Sequence, residues 1–441
     1  MTLKKKISLS GWGNYPQIET STRNFRGRRT DVTQNSIARG LGRSYADQAV
    51  CANGTTLLTT GYNRILEFNQ DTGRLTCQAG CSLETIINIA TPKGWFPTVC
   101  PGTKFITIGG AIANDVHGKG HHTTGSFANS VIEMQLLLSS GENLTLSRTE
   151  NSDLFWATVG GLGLTGIITT ATIQLTKIET SYYSHKSLSF NNLKECIELF
   201  IENDKIYNFS VGWLNTTSKK HSGVITFGNR LRSSEIDTNA TQLLAVHKNQ
   251  KLLLPLYLPT FALNKTSISL LNQVLKHKQE KKHNFIHYDP FFFPLDIIGN
   301  WNKGYGKDGF IQYQFVLPTQ SSYSGISAIF KLLSSKKLTP FLNVIKQFGE
   351  ANEALLSFPE KGITVALDFK FSIETIKVLQ ELNQVVINFG GKVYLAKDAV
   401  LDYNSFLAMY PKAFEFLNIK NKFDATGVYN SAIAQRIGLC N

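Results

Sequence analysis

Between residues 35 and 180 the chain alternates short apolar or β-branched runs with glycine-closed turns. Asn35–Ala38, Thr55–Leu58, Arg74–Gln78, Val131–Leu138, Asn143–Leu146 and Ile167–Leu175 predict strands, whose two-residue period sends side chains to opposite faces. The spacing predicts a helix over Ser82–Thr91, with Ser82 as N-cap and Pro92-Lys93-Gly94 ending it. A second short helix is expected at Asp153–Val159. From about residue 181 the runs lengthen, and helices are expected at Leu193–Asn203, Ser322–Ser334 and Ile373–Asn388. Near the C-terminus Lys392–Leu395 has strand character and Tyr403–Met409 helical character. Strands in groups, with helices interspersed rather than strictly alternating, predict an α+β fold and not a regular doubly wound sheet. The apolar stretch Lys251–Leu263 is broken by Pro255 and Pro259, too short and too kinked to span a bilayer. It is either a buried loop or an exposed patch at a membrane surface or substrate mouth, and burial is the weightier expectation.

With 441 residues the chain is expected to hold two domains, or three. An apolar fraction of 42% with 17% charged residues is globular rather than disordered. The formal charge of +13 suits an anionic partner or simply a solvated basic surface. Nucleic acid is not expected, because the basic residues are dispersed and form no finger, RNP or basic-helix pattern. The six cysteines show no C-x-x-C spacing, which fits a reducing compartment. The start MTLKKKISLSGWGNYPQ lacks the apolar core of a signal peptide, and no run of apolar residues is long enough to span a bilayer. The expectation is a cytoplasmic protein, or one attached peripherally at the inner membrane.

Candidate chemistry concentrates in PGTKFITIGGAIANDVHGKGHHTTG, Pro101 to Gly125. Its glycines admit close approach of backbone N–H groups to a ligand, and its histidines and lysine add donors and a proton acceptor. His117 and His121 have the i, i+4 spacing of a metal pair. Gly118 and Gly120 between them argue against a ligand-presenting helix, so no metal is expected. The run Gly161-Leu-Gly163-Leu-Thr-Gly166 matches G-x-G-x-x-G, but helical character precedes it and β-branched character follows. That order is the reverse of a Rossmann fingerprint, so a tight turn with its amides toward a ligand is expected instead. Ile37 to Tyr45 is another glycine-rich turn, carrying Arg39 and Arg43. Backbone amides plus arginine suit a pyrophosphate, and two such loops predict a dinucleotide cofactor. The strand Gln312–Val316 places Gln312 and Gln314 on one face, toward a polar pocket or toward solvent.

ARGLGRSYAD, PGTKFITIGGAIANDVHGKGHH and DLFWATVGGLGLTGII resemble the FAD-binding domain of the vanillyl-alcohol oxidase superfamily. The likeness extends through GWGNYPQ, PLDIIGNWNKGYGKDGFIQYQFVLP, FLNVIKQFG, LSFPEKG, YLAKD and AMYP. Over nearly the whole chain it is similar to the decaprenylphosphoryl-β-D-ribose 2'-oxidase family. That resemblance implies an FAD-binding domain of the PCMH type over residues 1–180, a substrate domain on an antiparallel sheet over 181–391, and a segment over 392–441 returning to the first.

The resemblance further implies FAD diphosphate against the loops carrying Arg39, Gly40, Leu41, Gly42, Arg43 and Ser44 and carrying Thr103, Thr107, Ile108, Gly109 and Gly110, with Tyr45, Pro101 and Gly102 also binding the cofactor. Ala113, Asn114, His117, Gly118, Gly163, Gly166, Ile167 and Tyr394 would pass close to the cofactor. Members that attach flavin covalently through the first loop carry His where this chain has Arg43, so noncovalent FAD is implied. His117, Lys119, Tyr45 and Lys397 are the implied catalytic set, with Lys397 near the hydroxyl as base. Lys119, Gln312, Gln314, Lys346, Thr364, Ala366 and Lys397 would meet the substrate. That substrate is implied to be a lipid-phosphate-linked ribose, oxidised at the 2'-hydroxyl, with a short-chain reductase partner completing epimerisation and a peripheral membrane contact. Mycobacterial members carry an Asn-Val-Cys-Val-Asp run where this chain has Thr364-Val-Ala366-Leu-Asp368, and Tyr where it has Phe292. The alternatives are a soluble aldonolactone or alditol oxidase of the same superfamily, or a flavin-free binding protein.

Overall fold

A seven-stranded antiparallel sheet carries one wall of the cleft that gathers the candidate site residues. Its strands run in the order Lys186–Phe190, Gly223–Gly228, Phe209–Leu214, Asn343–Phe348, Gly362–Lys370, Phe310–Pro318 and Lys392–Val393. The computed structural model describes residues 6–216, 220–236, 240–247, 252–259 and 285–440. One face of this sheet is covered by the helices Leu193–Asn203, Thr319–Ser335 and Ile373–Asn388. Alternate residues of one strand, Ile311, Tyr313, Phe315 and Leu317, join Phe200, Ile326, Ile329, Leu379 and Leu382 in that core. Tyr313 also anchors its hydroxyl on Asn383 Oδ1, 2.9 Å away.

The N-terminal half supplies the opposite wall. A four-stranded sheet orders Lys6–Leu9, Ile18–Asn24, Thr55–Leu58 and Ser36–Arg39. Beside it, Ile65–Phe68, Arg74–Gln78, Ile167–Lys177, Val131–Leu137 and Asn143–Ser147 form an antiparallel sheet that Trp95–Pro97 joins on Ile167–Lys177. Ile167–Lys177 is the longest strand among the described residues, and alternate residues Ala171, Ile173 and Leu175 pack into the second core with Leu75, Ile86, Phe96 and Met134. The Ser82 hydroxyl caps the helix Leu83–Ala90 by accepting from Thr85 N at 3.0 Å, as its sequence predicts.

The periodic segments appear close to their expected bounds, and the departures have physical reasons. A helix at Ile108–Ala113 was not expected, because two glycines lower helix propensity there. Thr107 caps it, its hydroxyl accepting from Gly110 N at 3.2 Å. The run Lys392–Leu395 pairs only over Lys392–Val393, and it does so on the seven-stranded sheet. Of the apolar stretch Lys251–Leu263, residues 251 and 260–263 lie outside the described residues. The remainder is not buried: Leu252, Leu253 and Leu256 are 62%, 63% and 76% exposed. Its two prolines break regular pairing, so only Leu252–Leu253 joins a neighbour, Ile298–Gly299. Among the described residues no helix is long and apolar enough to cross a membrane.

Beyond Val393 the chain crosses to the N-terminal half. Tyr45 N donates to Ala396 O at 3.0 Å, and Ser36 N to Val428 O at 2.8 Å. Arg436 clamps the crossing by donating to Asp47 at 2.9 Å and to Asp398 at 2.8 Å. Both carboxylates are buried, so losing the guanidinium leaves two desolvated charges facing each other. Arg436→Ala is expected to destabilise the fold by roughly 3 kcal/mol, read as a lowered thermal midpoint and earlier urea unfolding.

Candidate active site

The cleft is floored by two glycine-bearing loops of the N-terminal half. Gly40 lies so close to the second loop that a Cβ there would fall 2.1 Å from Thr107 Oγ1. Only glycine permits that approach, and it draws Gly40–Tyr45 and Pro101–Thr103 to one edge of the cleft. Past the short helix the chain turns at Asp115, a left-handed non-glycine residue with φ of 39°. Its buried carboxylate holds the turn by accepting from Ser357 at 2.5 Å and Asn352 at 2.6 Å. Two residues later His117 enters a box of aromatic rings: Phe348, Tyr394 and Phe358 lie 4.7, 5.0 and 5.6 Å from its centroid.

The other wall is the free face of the seven-stranded sheet. Gln312 and Gln314, two apart on one strand, both point into the cleft with Val344, Lys346 and Ala366 from the neighbouring strands. Gln314 Nε2 lies 3.0 Å from His117 Nε2 and 3.0 Å from Thr364 Oγ1. Gln312 Nε2 donates to Asp368, whose second oxygen accepts from Tyr305 at 2.9 Å. Lys397, reached after the chain leaves Val393, sits 5.1 Å from the centre of the Tyr45 ring.

Burial dominates the electrostatics here, because a low dielectric disfavours the charged form of every group. It lowers Lys346 to about 7, with Lys397 and Lys119 adding repulsion. Burial brings Lys397 to about 8, where Asp368 partly restores its charge. His117 is pushed well below its ordinary range by burial, then by Lys346 and Lys397, and is neutral. Asp368 rises to about 6, since its burial outweighs the hydrogen bonds from Gln312 and Tyr305. Tyr45 is raised by burial and by Asp368, so it remains a phenol.

Most residues singled out from sequence converge on this cleft: Gly40, Leu41, Gly42, Arg43, Ser44 and Tyr45; Pro101, Gly102 and Thr103; Thr107, Gly109, Gly110, Ala113, Asn114 and His117. Gly163, Gly166, Gln312, Gln314, Lys346, Ala366, Tyr394 and Lys397 line it too. Six others do not. Arg39 turns back to donate to Ser10 O at 2.7 Å. Ile108 and Ile167 face the cores, and Ile168, of opposite strand parity, takes the lining position instead. Gly118 packs its backbone against Cys100, where a Cβ would meet the carbonyl oxygen at 2.2 Å. Lys119 donates to Phe291 O and lies 4.7 Å from the centre of the Phe291 ring, and burial lowers it to about 7. Thr364 stands behind Gln314. His121 does not join His117 on a shared ligand, because its Nδ1 accepts from Gly349 N at 3.1 Å.

Sequence reading missed Trp12 and Trp301, whose rings meet edge-on at 5.7 Å on the cleft wall. It also missed the Asp368–Tyr305 pair behind Gln312. Their motifs were visible, but nothing local says that residues nearly 300 positions apart share a wall. Phe310 N donates to Gly13 O at 2.8 Å and brings them together.

The lining fits FAD. Two glycine loops bring bare backbone to one edge, and five buried side-chain atoms of lining residues have no protein partner: Arg43 Nε, Asn114 Oδ1, His117 Nδ1, Gln312 Oε1 and Gln314 Oε1. Buried polar atoms are rarely left unpaired without a ligand to meet them. Gly40–Ser44 and Pro101–Thr103 would hold the diphosphate, with Arg43 the cation beside it.

Residues 33–147 match the FAD binding domain family, a span that contains both glycine loops and His117. The chain is 38% identical over 410 residues to the decaprenylphosphoryl-beta-D-ribose oxidase of Mycolicibacterium smegmatis, covering 91% of this chain and 89% of that protein. It is 23% identical over 425 residues to mouse L-gulonolactone oxidase, covering 90% and 88%. Cytokinin dehydrogenase 2 of Arabidopsis thaliana matches at 32% identity over 138 residues, 31% of this chain and 27% of that protein.

The buried lysines also set a stability trend. Lys346 falls from an ordinary 10.5 to about 7 on folding, so its contribution is complete above 10.5 and is lost as pH falls through 7. Lys346→Met is therefore expected to raise the thermal midpoint of the ligand-free protein at pH 6 by roughly 2–4 °C. The gain should shrink toward pH 10, as paired melting curves will read.

Proposed function

The chain belongs to the decaprenylphosphoryl-β-D-ribose oxidase family, and we propose that it oxidises the 2'-hydroxyl of a polyprenylphosphoryl-β-D-ribose to the 2'-keto sugar. It is an FAD-dependent oxidoreductase acting on a CH–OH group. The observation that carries the reading is the meeting, in one cleft, of the two glycine loops with His117, Gln312, Gln314 and Lys397. FAD, when bound, supplies the two-electron acceptor for the carbon-bound hydrogen.

The chain's own residues handle the proton and the orientation. Lys397 Nζ takes the hydroxyl proton, which requires the neutral amine that burial makes available near pH 8. Asp368 keeps Lys397 from falling further, so the amine remains basic enough to accept. Lys346, with no ion-pair partner among the described residues, stabilises negative charge developing on the substrate oxygen or meets its phosphate. The aromatic box around His117 and the Trp12–Trp301 pair exclude water from the reacting edge. The ketone left by this reaction suits a separate short-chain reductase, which would return it as the epimeric alcohol.

The exposed segment Leu252–Pro259 offers the substrate a route in. Leu252–Leu253 pairs with Ile298–Gly299, between the cleft residues Leu295 and Trp301. Exposed leucines beside the cleft, on a protein of net charge +13, suit an anionic lipid surface at which a lipid-linked sugar is presented.

Flavin reduction under anaerobic conditions tests the substrate. A polyprenylphosphoryl ribose is expected to bleach the flavin, and free sugars and lactones are not. Turnover of lactones alone would move the reading to an aldonolactone oxidase. For the base, the reduction rate is expected to rise with pH around a midpoint of about 8 and then level, as Lys397 loses its proton. Lys397→Ala should keep FAD yet reduce roughly a hundredfold more slowly and lose that pH limb. A normal rate in this variant excludes Lys397 as base. For the membrane contact, Leu253→Asp with Leu256→Asp should weaken binding to phosphatidylglycerol vesicles at least about tenfold, at unchanged thermal midpoint.

A further inference from the structure

Gln312 and Gln314 share an arrangement that neither the cofactor nor the proposed base explains. Each is buried, each has its amide nitrogen engaged, and each leaves its Oε1 without a protein partner. The proton inventory around Gln314 can be closed. Thr364 Oγ1 lies 2.9 Å from Phe315 O, a carbonyl that only accepts, so the single hydroxyl proton of Thr364 points there. Toward Gln314, at 3.0 Å, the Thr364 oxygen must then accept, so an N–H of Gln314 faces it. The second N–H on the same nitrogen faces His117 Nε2 at 3.0 Å, and that ring nitrogen must be bare. A neutral imidazole carries one proton, which leaves it on Nδ1, the ring atom with no partner in the protein.

We propose that Thr364 is a positioning residue: through Gln314 it holds His117 as the Nδ1–H tautomer and keeps the imidazole a hydrogen-bond donor within the cleft. The neighbouring glutamine repeats the device. Gln312 donates to Asp368 and leaves its own Oε1 without a protein partner. Both glutamines thus anchor through the amide nitrogen and leave the carbonyl oxygen unpartnered. A ligand group facing Oε1 of Gln312 or Gln314 must therefore be a donor, such as a hydroxyl, and one facing Nδ1 of His117 must be an acceptor. The inference concerns the cleft itself and holds whichever alcohol is oxidised.

The ring tautomer is read directly by long-range 15N–1H correlation on FAD-loaded protein labelled at histidine, where bare and protonated ring nitrogens resonate far apart. His117→Asn identifies the signal. Wild-type protein is expected to show bare Nε2 and protonated Nδ1. In Thr364→Val the amide of Gln314 loses its anchor and can turn over, so an Nε2–H population should appear. Flavin reduction should slow roughly fivefold, the effect of one net hydrogen bond, with FAD content unchanged. Thr364→Ser, which keeps the hydroxyl, should restore both. Protonated Nε2 in the wild-type protein overturns the proposal, and so does an unmixed Nδ1–H signal in Thr364→Val. The wild-type spectrum decides even where Thr364→Val fails to fold, and it does so independently of any substrate.

Discussion

The two-residue period of Phe310–Pro318 is the constraint on which the site depends. This strand is buried on both faces, so its register sorts residues between two interiors rather than between core and water. Ile311, Tyr313, Phe315 and Leu317 enter the helix-covered core, while Gln312 and Gln314 enter the cleft. A slip of one residue would exchange the two sets, burying amides among leucines and pointing aromatic rings at the ligand. The core resists that slip. Nine consecutive pairs with Gly362–Lys370, and the anchored Tyr313 hydroxyl, hold the register. The same pairing sets Gln312 beside Asp368 and Gln314 beside Ala366, so the packing that stabilises the sheet also chooses the partners of its polar residues.

Charge follows from the same burial. Lys346, Lys397 and the nearby Lys119 lie in a region that disfavours ammonium ions, and Asp368 is the carboxylate that acts on Lys397. Such groupings are unfavourable for the ligand-free fold, and they relax when a negatively charged group enters and the lysines regain their protons. An anionic ligand and a depressed lysine are therefore linked: binding negative charge raises the amine, and a site that needs a neutral base must keep that charge at a distance from it. The geometry separates the two demands. Asp368 acts on Lys397 from the strand Gly362–Lys370, and Lys346 stands on the adjoining strand with no carboxylate partner among the described residues.

What was legible in the sequence was local. Ser82 capping its helix, the period of Ile167–Lys177, and the glycine loops are short-range signals, and the structure uses them where they stand. What was not legible depended on the far side of the molecule. Ile167 and Ile168 differ only in strand parity, and which one lines the cleft is decided by the sheet they join. Lys119 carries the chemistry of a site lysine, yet the Phe291 carbonyl, brought in from 172 positions away, takes its ammonium. The leucines near residue 252 have the composition of a core and the exposure of a surface, and composition alone does not distinguish the two.

The strand Gly362–Lys370 shows why this chain can leave its family's pattern without losing its chemistry. Thr364, Ala366 and Asp368 alternate along it, and the resemblance places Asn, Cys and Asp there in mycobacterial members. Ala366 lines the cleft opposite Gln314, so a smaller side chain there changes room and not protonation. Asp368 retains the carboxylate that receives the Gln312 amide. Thr364 is the position where the change reaches the hydrogen bonds. An asparagine amide can donate or accept toward Gln314, whereas a threonine whose proton already lies on Phe315 O can only accept. The substitution removes a choice from the network: with the hydroxyl committed, the glutamine, and through it the imidazole, has one arrangement that leaves no donor facing a donor.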